Sequence, residues 1–76
     1  MLDVVRIYEL AGRRGLPDTG LAEALARELA RAGHDVSAAT IGRWLRGETE
    51  PRGRLLIALA RLLGCRPEEL LGEAGK

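Results

Sequence analysis

Arg43, Arg46, Arg52 and Arg54 crowd one stretch of a chain that carries a lone Lys, Lys76. A guanidinium is a planar fork of donors that stays charged at any physiological pH. It matches the paired oxygens of a phosphate, or the O6/N7 edge of guanine, with two parallel hydrogen bonds. The chemistry this cluster could do is therefore anion capture rather than bond breaking. The usual catalytic types are present but scattered. His34 and Cys65 are each the sole residue of their kind, and a metal site needs more ligands than one His and one Cys. Glu68 and Glu69 are adjacent, so on a helix they do not face each other as an acid/base pair would. Without a Ser/His/Asp set, a phosphate-binding loop or a metal spacing, the chain reads as non-enzymatic, with no cofactor. His34 reads as a turn residue and Cys65 as a small buried hydrophobe.

Composition narrows the class further. The chain has 76 residues, 46% of them hydrophobic, and two aromatic residues, Tyr8 and Trp44. That is one small domain, residues 1–76, whose core must be built from Leu, Ala, Val and Ile, a mix that favours helices. So few aromatics give little support to single-stranded RNA binding, which leans on stacking. The net charge is +1, too little to commit the chain to nucleic acid through its overall field. The excess of Arg over Lys fits a GC-rich coding bias as well as selection for phosphate and guanine contacts. One Cys excludes an internal disulfide and fits a reducing, cytoplasmic setting. No apolar run approaches the ~20 residues of a membrane span, and no signal peptide is evident.

The arginines need elements to carry them, and five helices are expected, at about 2–11, 21–32, 38–46, 53–63 and 67–71. Val4, Val5, Ile7, Tyr8, Leu10 and Ala11 suit one helix face, with Asp3 in the first turn and a stop at Gly12 and Gly15. Asp18 or Thr19 is expected to cap the second helix, whose stripe is Leu21, Ala22, Leu25, Ala26 and Leu29. Gly33 closes it. Ser37 is a good N-cap for the third helix, with Ile41, Trp44 and Leu45 inward and Gly47 at its end. The fourth has Leu55, Leu56, Leu59, Leu62 and Leu63 inward and ends at Gly64. Pro67 opens the fifth with Glu68 and Glu69 in its first turn, as helix starts favour, and Gly72–Lys76 is expected to fray. Strands and long linkers are not expected.

These residues resemble the phage repressor and Cro (XRE-type) helix-turn-helix domains. Gly15-Leu16 with Leu21-Ala22 is similar to the approach to that family's second helix. Val36-Ser37, Thr40-Ile41, Arg43-Trp44 and Gly47 resemble its recognition helix. Pro51, Leu55-Leu56, Ala60, Leu63-Gly64-Cys65 and Leu70 resemble its fourth and fifth helices. The resemblance implies an all-α, compact five-helix, lambda-repressor-like fold that binds double-stranded DNA as a small transcriptional regulator, most simply a repressor. It places base contacts on Ala38, Ala39, Thr40 and Arg43, and backbone phosphate contacts on Ser37, Arg46, Arg52 and Arg54. The physical reading agrees. The major groove is about 12 Å wide and admits one helix. Ile41 and Trp44 anchor that helix, and small residues keep its outer face slim. A homodimer is expected, through the Leu70-Leu71 region or the first helix.

Three features depart from the family pattern. The second helix or its following turn, Ala32–Val36, is extended beyond the ~3–4 residues usual for such turns. Leu45 stands where Glu is common. Gly42 lies inside the reading helix, which suggests close approach to another helix or to DNA. The stretched turn, with Glu48 and Glu50 in the loop, keeps a second reading open: a helical protein-interaction module or antitoxin with a protein partner.

Overall fold

Asp3 starts the first helix from just outside it: its carboxylate accepts the Arg6 N–H at 3.1 Å, satisfying a donor that a first turn otherwise leaves open. The structure, a computed structural model, describes residues 2–75, with side chains through residue 71. It contains α1 (Val4–Arg13), α2 (Leu21–Arg31), α3 (Ala38–Leu45), α4 (Arg54–Leu63) and a closing 3-10 helix (Pro67–Gly75). The fold is all-α, but the fifth element is not an α-helix. It also continues past the expected limit at Leu71, so residues 72–75 belong to it; Lys76 lies outside the described residues. The Glu69 N–H bonds the Arg66 carbonyl three residues back at 3.0 Å, in the tighter winding of a 3-10 turn.

Four exits share one design. Gly15, Gly33, Gly47 and Gly64 all adopt left-handed φ, between 77° and 91°. After each, the next residue donates back to a carbonyl of the helix's last turn: Leu16 to Ala11, His34 to Leu29, Glu48 to Arg43 and Cys65 to Ala60, at 2.8–3.0 Å. This closure satisfies carbonyls the helix leaves orphaned, and glycine enters the conformation without a Cβ penalty. Gly12, expected to help stop α1, lies inside it; the reversal comes at Gly15. The N-cap of α2 is Gly20 rather than Asp18 or Thr19, with no side-chain cap bond.

The core gathers Leu2, Ile7, Leu10 and Ala11 from the α1 region, Leu21, Leu25 and Leu29 from α2, and Ile41 and Trp44 from α3. Ala58, Leu59, Ala60, Leu63 and Leu70 complete it. Trp44 is core, as expected. Leu55, Leu56 and Leu62 pack against the core half-buried, while Ala58 and Ala60 lie further inside. α4 packs against α1, α2 and the closing helix together, so its buried arc is wide and small residues fill part of it. Leu70 is fully buried; its carbonyl accepts the Asp3 N–H at 2.7 Å. Of the Leu70-Leu71 region expected to offer a dimer surface, Leu70 is thus committed to the core and Leu71 is half-buried.

The stretch between α2 and α3, residues 32–37, is longer than the usual turn. Ala32, Gly33 and His34 complete the α2 closure, half-buried Val36 packs against the core, and Ser37 caps α3. An apolar anchor thus holds the long turn in place. Among the described residues no helix is long and apolar enough to cross a membrane.

Candidate nucleic-acid interface

The Ser37 hydroxyl oxygen accepts the Thr40 N–H at 3.1 Å and donates to Thr40 Oγ1 at 3.0 Å. This cap sets where α3 begins, and therefore which of its residues face outward. At roughly 100° per residue, Ile41 and Trp44 turn inward and are buried. Ala39, Gly42, Arg43 and Arg46 then form one outward stripe at i, i+3, i+4 and i+7. Ala39, Arg43 and Arg46 are exposed, and Gly42 is intermediate. Ala38 and Thr40 flank the stripe, half-buried. Leu45, at the position where Glu is common in the resembled family, packs against the core and contributes apolar contact in place of an ion pair.

Of the residues assigned to base contact, Ala39 and Arg43 share the centre of the stripe, while Ala38 and Thr40 lie on its shoulders. Arg43 is exposed at the outer surface, with slim neighbours that leave it room. Gly42 does not approach another helix. A Cβ built there would meet Arg46 Nη1 at 3.2 Å, so the neighbour is the end of a side chain from the same turn.

The residues assigned to phosphate contact divide into two groups. Ser37 and Arg46 belong to the ends of α3. Arg46 Nε donates to Glu48 Oε2 at 2.8 Å. The hydrogen bond and the charge of Glu48 raise the Arg46 pKa; the same bond and charge from Arg46 lower that of Glu48. Arg52 and Arg54 lie on the other side of the loop, exposed, around Gly53 at the start of α4. Pro51 is buried and anchors that loop. No side chain caps α4 at Gly53; the Leu55 N–H in its first turn is met by the Arg52 carbonyl at 3.1 Å. Glu50 Oε2 accepts the Leu2 N–H at 3.2 Å.

Which of the two loop glutamates meets an arginine was not read from the sequence: it is Glu48, with Arg46. The signal for it was available: Gly47 between two opposite charges reverses the chain and brings the side chains on either side together. Cys65 is half-buried among core residues. Burial raises its thiol pKa, with the Glu69 charge adding to the effect, which suits a packing role. His34 sits in the turn, as expected. It also lines a groove of about 690 Å³ between the end of α2 and α4, with Arg54, Ile57, Ala58, Arg61 and Leu62.

With this geometry in place, comparison with known proteins becomes informative. A family model described as helix-turn-helix matches residues 14–70, a span that begins at the end of α1 and contains α2, α3 and α4. Comparisons with curated proteins and with solved structures gave no match.

Proposed function

The chain belongs to the XRE-type helix-turn-helix family, and on that premise we propose that it reads duplex DNA as a small transcriptional regulator, most simply a repressor, inside the cell. The observation that carries this reading is the α3 stripe. A helix anchored by Ile41 and Trp44 presents Ala39 and Arg43 outward with little bulk around them, as entry into the major groove requires. In this reading Arg43 pairs with guanine, Ala38 and Ala39 lie against thymine methyl groups, and Thr40 contacts the edge of the site. Ser37, Arg46, Arg52 and Arg54 hold the phosphates, the last two beside the N-terminus of α4.

A single domain with net charge +1 gains affinity by pairing, so a homodimer on two half-sites about 34–36 Å apart is expected. Of the two faces considered for that contact, the first helix retains an apolar residue in water: Val5 is 70% exposed.

Selection of bound duplexes from a randomised pool, followed by sequencing, tests the proposal. The expected result is an inverted repeat whose binding weakens steeply as salt rises. Absence of binding even at low salt would remove the DNA reading. A protein-interaction or antitoxin role would then stand, and the α2–α4 groove is what favours it. Ile57 is 47% exposed there, between Arg54 and Arg61.

A further inference from the structure

We propose that Glu48 acts as an internal stand-in for phosphate, occupying Arg46 in the free protein and limiting its grip on any nucleic-acid backbone. The inference rests on the DNA-binding reading above and adds an affinity-limiting residue to it.

Two contacts hold the Arg46 side chain. Its Nε donates to Glu48 Oε2 at 2.8 Å, and its Nη1 folds back beside the bare Gly42. The guanidinium therefore lies along the Ala39–Arg46 stripe, on the side that would meet DNA. The carboxylate is held there by backbone geometry. Gly47 has φ of 79°, and the Glu48 N–H bonds the Arg43 carbonyl at 2.9 Å. The chain is thereby turned back at the end of α3, placing Glu48 beside Arg46.

Both partners remain open to water, with side chains 61% and 53% exposed. An exposed pair of this kind is weak. A DNA phosphate offers the same guanidinium comparable charge and oxygen geometry, so it can displace Glu48. Until then the pair carries almost no net charge, and Arg46 contributes little to attraction from a distance. The effect falls mainly on backbone contact, because Glu48 bonds Arg46 and feels Arg43 only through a weaker charge attraction.

The test is a double-mutant cycle on random duplex DNA across a salt series, using Glu48→Gln, Arg46→Ala and both together. Glu48→Gln is expected to tighten binding about two- to fivefold, the range a surface ion pair commands, with the larger gain at low salt, where the pair is less screened. Most of that gain should vanish in the Arg46→Ala background. In the free protein, NMR titration should find the Glu48 pKa below its ordinary value, moving back up in Arg46→Ala. Weaker binding by Glu48→Gln would mean that the carboxylate aims Arg46 at DNA, and would overturn the proposal. An equal gain in both backgrounds would reduce the effect to general charge and overturn it as well. Duplex binding by none of the proteins would instead sink the DNA-binding reading, and the masking role with it.

Discussion

Arg6 Nη2 in α1 donates to Glu69 Oε1 in the closing helix at 3.1 Å. Together with the Asp3–Leu70 backbone bond, it ties the beginning of the helical array to its end. The hydrogen bond from Arg6, followed by one from the Arg66 backbone, lowers the Glu69 pKa. A carboxylate with a folded pKa below its unfolded value stabilises the fold fully at neutral pH and loses that contribution as pH falls through the folded value. Glu69→Gln should therefore lose less thermal stability than the parent between neutral pH and about pH 3. Melting curves at several pH values check this; parallel decline of the two proteins would show that the pair is not coupled to folding.

Leu70→Ala should cost about 2–5 kcal/mol, as removal of a fully buried side chain from a packed core does. For 76 residues that is a large part of the roughly 4–11 kcal/mol expected in total. Denaturant unfolding measures it. An unfolding free energy close to the parent's would show that Leu70 does not anchor the core.

Gly42→Ala should stabilise the protein by about 0.5–1 kcal/mol, because glycine weakens a helix interior and the added methyl meets only the flexible end of Arg46. Gly64→Ala should do the opposite, by roughly 1 kcal/mol or more. Its φ is 77° and its Cβ would land on the Arg14 guanidinium. Unfolding midpoints of the two variants, shifted in opposite directions, test the distinction between a helical glycine and a closing one.

Arg43→Ala should relax base preference at one position of the site, by about 1–3 kcal/mol. Arg52→Ala should weaken binding to all sequences alike and reduce the salt slope by about one. Binding curves on the selected site and its single-base variants separate the two effects. A uniform loss in Arg43→Ala would assign that residue to the backbone.

Much of this architecture is legible in the sequence. Ser37 as the α3 cap, Ile41 and Trp44 as its anchor, Gly33, Gly47 and Gly64 as closures and the stretched turn after α2 all follow from spacing within one or two helical turns. At that range the 3.6-residue period and the φ preference of glycine leave few alternatives. The arginine cluster is equally local, because it depends on residue types and order, and Arg43, Arg46, Arg52 and Arg54 are all exposed.

Contacts between residues distant in the chain were not legible in this way. Leu70 read as an available surface and proved fully buried. Leu55, Leu56 and Leu62 read as core and pack against it half-buried, with Ala58 and Ala60 further inside. Glu50 read as a loop charge near the arginines and instead meets the Leu2 backbone. Arg14 read as part of a turn and covers Gly64. Helical periodicity tells which residues share a face. Which faces meet, and where a long side chain comes to rest, depends on packing among elements far apart in the chain, where burial and close contact set the energies.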